Sequence, residues 1–181
     1  VSAPLERLLG EGLRAGVEKI SQFSGTPWEA GSAQLSTGMP PEANGKTVTA
    51  RLSCKRPFKA EIAVSFSADA ALSLTQAVVG AAADAGSSGA WRIANPDEAV
   101  LGEFANILGQ ALIRPLADAV RGYAVLSSPS IARGAYRLPF EQPPLLFGAS
   151  PRATGLSIGF ALALALDGAE LDELLKKTGV A

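Results

Sequence analysis

The chain has 181 residues, with 16 basic side chains against 17 acidic, no His, a single Cys and 48% apolar residues. Its length suits one domain with a real core, and without an imidazole the chain has no Ser-His-Asp or Cys-His nucleophile pair and no His-bearing zinc site. The charges divide as 8 basic and 8 acidic over residues 1–90 and 8 and 9 over residues 91–181, so the basic footprint that nucleic acid requires is missing.

From Leu5 to Phe23 the apolar residues Leu5, Leu8, Leu9, Leu13, Val17 and Ile20 recur at helical spacing, which predicts an amphipathic first helix ending at Ser24-Gly25-Thr26-Pro27. Trp28–Ser36 reads as a strand before the loop Gly38-Met39-Pro40-Pro41. Thr47–Cys54 alternates Val48, Ala50, Leu52 and Cys54 with polar residues, and Phe58–Phe66 does the same, with Lys55-Arg56-Pro57 as the turn between them. Ser67 is placed to cap a second helix from Ala68 to about Ala82.

A Gly/Ser-bearing linker, about residues 84–94, precedes Asn95-Pro96-Asp97-Glu98, which has the chemistry of a helix start with Glu98 closing a capping box. The helix is predicted to reach about Gly122 with Pro115 inside it. Strands follow at Tyr123–Ile131, around Leu145–Gly148 and at Thr154–Leu166, and Asp167 caps a last helix from Ala169 to Lys177. The fold class is therefore α/β (α+β), one domain built of two α-β-β-β-α units at about residues 4–83 and 95–178. A local echo accompanies this order: Leu9-Gly10-Glu11 recurs as Leu101-Gly102-Glu103.

The longest apolar stretch, Gly155 to Leu166, falls short of the about 20 residues that span a bilayer. No membrane partner is expected, and the lone Cys54 suits a reducing, cytoplasmic setting. Val1-Ser2-Ala3-Pro4 shows no leader of basic residues followed by an apolar run, and the start without Met leaves room for an upstream piece.

Chemistry concentrates in the third helix. Glu103 and Asn106 lie three residues apart and share a face, with Gln110 a turn further on and Gly102 and Gly109 removing bulk beside them. Val100, Phe104, Ile107, Leu108, Ala111 and Leu112 are assigned to the core. By spacing alone, Glu103 and Asn106 also read as the solvated face of an amphipathic helix. Elsewhere Gly86-Ser87-Ser88-Gly89 is a linker without a P-loop lysine, Ser127 and Ser128 are turn formers, Cys54 packs as a small apolar residue, and Trp28 and Trp91 anchor the core or a hinge.

The run Leu101-Gly102-Glu103-Phe104-Ala105-Asn106-Ile107-Leu108-Gly109, followed after Asn106 by 22 residues and then Pro129, resembles the signature of the CheC/CheX/FliY family of chemotaxis phosphatases. In the first helix the positions that match Asn106 and Pro129 hold Arg14 and Thr37, so the single motif resembles the CheX type. The residue four before Glu103, Asp or Ser in the pattern, is Ala99 here.

The resemblance implies hydrolysis of the phospho-aspartate of a CheY-like response regulator, with Glu103 and Asn106 as catalytic residues. Asn106 would position water and Glu103 would pair with the regulator's phosphate-site lysine. Glu103, Gly102, Gly109, Gln110 and Pro129 would form the partner surface. No metal or cofactor of its own is expected, Mg2+ being held by the regulator, and a homodimer is compatible with this reading. The alternative is a CheX-like module, catalytically inactive, that binds a response regulator or a switch or signalling partner without hydrolysis, and Ala99 favours it.

Overall fold

The computed structural model describes residues 2–37, 47–84, 96–134, 145–155 and 158–178. Helix α1 (Ser2–Ser24) lays Leu5, Leu9, Leu13, Val17 and Ile20 into the core while Glu6, Arg7, Glu11, Arg14, Glu18 and Lys19 stay in solvent. At its end the Ser24 hydroxyl donates to the Ile20 carbonyl at 2.7 Å and accepts from the Trp28 indole N–H at 3.0 Å, so the helix stop also seats a core aromatic. Trp28 is thus a core residue, whereas Trp91 and the linker assigned to Gly86–Gly89 lie outside the described residues.

Strand β3 (Thr47–Cys54) keeps the predicted bounds and forms a hairpin with β4 (Ala60–Ser67), register Thr47↔Ser67 to Cys54↔Ala60. The Ser67 hydroxyl accepts from the Ala70 N–H at 3.1 Å, capping α2 (Ala68–Asp84) as expected. Helix α3 (Pro96–Ala119) carries Pro115 within it. It ends in a Schellman arrangement: the Gly122 N–H donates to Ala117 O at 2.8 Å, the Arg121 N–H to Asp118 O at 3.0 Å, and Arg121 takes a φ of 52°. Asp167 caps α4 (Gly168–Thr178), accepting from the Glu170 N–H at 3.2 Å. Glu98 reaches Arg133 at 3.4 Å, and its expected capping partner Asn95 lies outside the described residues.

Three predicted strands are corrected. Trp28–Ser36 breaks into β1 (Trp28–Glu29) and β2 (Ala33–Thr37) at Gly31, which has a φ of 66° and sits so close to Ser150 that a Cβ would lie 2.1 Å from its carbonyl oxygen. Thr154–Leu166 opens on a turn at Thr154-Gly155, with a φ of 81° at Gly155, just after β7 (Arg152–Ala153), and its regular strand is β8 (Ala161–Leu166). In place of Tyr123–Ile131 only β5 (Ser130–Arg133) is regular.

The reason for the last correction is a bulge. Leu126 bridges Cys54 and Ser130 pairs with Arg51, so Ser127, Ser128 and Pro129 stand opposite the two residues Leu52 and Ser53. The Ser127 hydroxyl accepts from the Ser53 N–H at 2.9 Å while the Ser127 N–H donates to Ser53 O at 2.8 Å, and Pro129 has no N–H to continue the ladder.

With β6 (Leu145–Ala149) the main sheet is antiparallel throughout, in the order β2-β6-β8-β4-β3-β5, and β1 and β7 form a separate ribbon. Each half contributes three strands, and the centre is β4 against β8, with Ala63 opposite Ala163. Val48, Leu52, Ile62, Val64, Leu162 and Leu164 share the buried face on which α3 packs; Thr49, Arg51, Ser53 and Glu61 lie on the reverse face. There the buried carboxylate of Glu61 accepts from Arg51 at 3.0 Å and from the Ser53 hydroxyl at 2.7 Å, which offsets the cost of taking its charge out of water.

Candidate functional site

One face of helix α3 packs against α1 and the core. Gly12 of α1 lets the two helices touch: a Cβ there would come within 2.7 Å of the Ala111 carbonyl oxygen. Two turns earlier on the same face, Phe104 is wholly buried, edge-on to Phe23 at 5.8 Å, to Trp28 at 5.6 Å, to Phe66 at 6.1 Å and to Phe160 at 6.3 Å between ring centroids. Each such pair adds to plain area burial by about 0.5–1.5 kcal/mol. The residue just before this anchor is Glu103, so the packing that fixes Phe104 also fixes the direction in which Glu103 leaves the helix.

Glu103, Asn106 and Gln110 emerge together on the opposite side. Glu103 and Gln110 are exposed and Asn106 is half-buried. Gln110 Nε2 donates to Asn106 Oδ1 at 3.0 Å, an i,i+4 contact. Ala99, also exposed, begins the same stripe one turn before Glu103. A groove of about 620 Å³ starts at Asn106 and Gln110 and runs along Ile113, Arg114 and Ala117 to the 122–126 segment, where Tyr123 is 84% and Val125 54% exposed.

The other expected partner residues divide. Pro129, exposed on the bulge, lies over Gly102, where an added Cβ would be 3.5 Å from the proline's Cβ; Gly102 itself is buried under this contact. Gly109 is a correction. It is buried against the sheet, its missing Cβ facing Leu52 at 3.1 Å and Leu126 at 3.4 Å, so it packs the helix onto β3 and forms no part of an outer surface. Ile107, expected in the core, is half-buried, and Leu101 and Ala105 are fully buried beside Phe104.

In α1 the matching stripe carries Glu11 and Arg14, both exposed, with Thr37 exposed at the end of β2. A guanidinium stands where α3 has a carboxamide. The groove has no local signal in the sequence, since its far wall is irregular chain where the pattern from Tyr123 onward predicts strand. The Gln110 contact with Asn106, by contrast, carries a visible signal, two amides four residues apart on a helix.

Cys54 takes no part in this site. It is buried on the inner face, its Sγ donates to Arg56 O at 3.0 Å, and burial pushes its thiol pKa up. Among the described residues no group of three His, Cys, Asp or Glu side chains is placed to hold a metal, and no helix is long and apolar enough to cross a membrane.

No family model and no curated protein matches the sequence itself. The fold does have relatives among solved structures. A CheC-like superfamily protein from Shewanella sp. PV-4 superposes with a TM-score of 0.64 at 12% identity, covering 93% of this chain and 100% of that one. FliY from Thermotoga maritima gives 0.64 at 9%, covering 98% of each chain. A chain of the CheX–CheY–BeF3–Mg2+ complex from Borrelia burgdorferi gives 0.61 at 12%, covering 87% of this chain and 97% of that one. The chain has the CheC/CheX/FliY fold. Within the CheC/CheX/FliY fold described here, α3 and the bulge before β5 carry Glu103, Asn106 and Pro129.

Proposed function

We propose that the protein is a phosphatase that hydrolyses the phospho-aspartate of a CheY-like response regulator, using Glu103 to dock and Asn106 to position water. The observation that carries this reading is the placing of Glu103 and Asn106 side by side on the open face of a helix whose other sides are locked into the core. Such a helix can lie over another protein's site without rearranging. The likeness to a chain of a CheX–CheY complex supports the choice of partner.

Hydrolysis of an acyl phosphate breaks the bond between phosphorus and the carboxylate oxygen as a water oxygen bonds to phosphorus, releasing phosphate and restoring the aspartate. Little covalent chemistry falls to the catalyst, which must hold a water in line and keep other charges in register. A carboxamide does this without a change of protonation, its NH2 donating and its oxygen accepting. Glu103 meets the regulator's phosphate-site lysine, which fixes the approach. The divalent cation belongs to the regulator, and the reaction to the cytoplasm where such regulators work.

A second reading, a docking module without catalysis, is favoured by Ala99, an exposed methyl where the family pattern has a polar side chain. The deciding experiment is dephosphorylation of each phosphorylated response regulator of the same organism, with wild type and with Asn106→Ala. Acceleration by wild type alone is expected; equal rates with both proteins would remove Asn106 from the reaction.

A further inference from the structure

The reaction just described assigns nothing to Gln110, yet its geometry is specific. Its Nε2 donates to Asn106 Oδ1 at 3.0 Å, and both side chains border the groove beside α3. We propose that Gln110 is a positioning residue, holding the Asn106 carboxamide in one of its two orientations so that its NH2 group and the remaining lone pair of Oδ1 point in fixed directions outward. The consequence for catalysis rests on the phosphatase reading; the positioning itself does not.

The physical argument begins with the Asn side chain. Rotation about its last torsion is broad and roughly two-fold, and the two orientations present opposite hydrogen-bonding polarity to whatever lies in front. An asparagine with solvent on one side would sample both, and a water held by it would be in line only part of the time. A donor fixed on Oδ1 selects one orientation, so the carboxamide is already aligned when the water must be held in line. Gln110 can supply that donor because i and i+4 side chains meet on a helix. The next polar residue along the face, Arg114, leans toward Asp118 at 3.9 Å, away from Asn106.

The test uses the full chain with Gln110 replaced by Ala, by Lys, which can only donate, and by Glu, which can only accept. A Glu at 110 would either take the Asn106 NH2 or turn to Arg114, its i+4 neighbour, and in both cases Oδ1 loses its donor. Two readouts are needed: 15N relaxation of the Asn106 side-chain amide in the protein alone, and kcat and KM for the regulator that wild type dephosphorylates. For Gln110→Ala the amide is expected to become mobile and kcat to fall roughly tenfold, a larger change than that in KM, because the orientation of Asn106 acts on the chemical step. Gln110→Lys should restore order and most of kcat, whereas Gln110→Glu should not restore kcat, even where the amide is ordered in the reversed orientation. An Asn106 amide equally ordered in Gln110→Ala would overturn the proposal, as would a Glu variant that matches wild type beside an inactive Lys variant. If wild type is inactive on every regulator but Asn106 loses order in Gln110→Ala, the phosphatase reading falls and the positioning role stands.

Discussion

Pro129 rests on Gly102, close enough that a Cβ on the glycine would lie 3.5 Å from the proline's Cβ, an ordinary contact distance. The bulge explains how two residues so far apart in sequence meet: one extra residue opposite Leu52 and Ser53 turns the chain up to the helix. The β3–β5 pairing and its bulge thus set Pro129 against α3 at Gly102.

This contact and its counterpart at Gly12 predict opposite outcomes for the same substitution. Gly102→Ala is expected to stabilise by up to about 1 kcal/mol, since alanine is the better helix residue and the site has room. Gly12→Ala places a Cβ 2.7 Å from the Ala111 carbonyl oxygen, so the α1–α3 contact must open, at about 1–3 kcal/mol. Thermal melts of the two variants check this, and shifts of the same sign would mean that the helix contacts are wrongly described.

Phe104→Ala removes the ring around which Phe23, Trp28, Phe66 and Phe160 gather. The expected loss is about 3–5 kcal/mol by urea titration. Because Glu103 and Asn106 flank this ring in sequence, regulator binding should weaken even at denaturant-free conditions where the variant remains folded.

What could be read in advance, and what could not, follows from which interactions are local. Thr47–Cys54 was legible because alternation is a property of the strand itself, and the Glu103, Asn106 and Gln110 stripe because helix spacing is fixed. Gly31 and the bulge at Ser127–Pro129 were not, since one answers to the Ser150 carbonyl and the other to the register of β3, both distant in sequence. Gly109 was misread by phase: it is about 60° round the helix from Asn106, which turns it to the sheet. We further propose that residues about 4–83 and 95–178 are copies of one unit; a sheet with three strands from each half about the β4–β8 centre supports this.

Cys54 supplies a pH prediction. Burial, its largest influence, raises the thiol pKa, so the folded state disfavours the thiolate, and the stability this represents is present below the unfolded thiol pKa and lost as pH rises through the higher folded value. Stability should therefore decline on the alkaline side of about pH 8.5, less so in Cys54→Ala. At neutral pH a thiol reagent should label the native protein far more slowly than the urea-unfolded chain; equal rates would contradict the buried placement.

Charge reversal at Glu103 separates docking from chemistry. The side chain is exposed and no hydrogen bond or ion pair is seen for it among the described residues, so Glu103→Lys should leave the melting temperature within the small range of surface substitutions, about 0.5 kcal/mol. Affinity for a beryllofluoride-activated regulator is expected to drop about tenfold or more, two cations being set against each other. Calorimetric titration measures it directly, and an unchanged Kd would take Glu103 out of the interface.

Ala99 decides between the enzyme and the docking module. It lies on the same exposed stripe, four residues before Glu103 and seven before Asn106, about 10 Å along the helix axis from the latter. A serine there can reach toward Glu103 but not toward the carboxamide that holds the water, and it costs the helix only about half a kcal/mol. If the protein is an active phosphatase, Ala99→Ser should change the rate by less than about threefold, since an effect through docking alone is modest. If the wild type is a module whose activity was lost at this position, the same change should raise dephosphorylation above background. Inactivity of both proteins toward every response regulator of the organism, with binding to one of them retained, would establish the docking module, because Asn106 and its Gln110 partner would then be in place with nothing to hydrolyse.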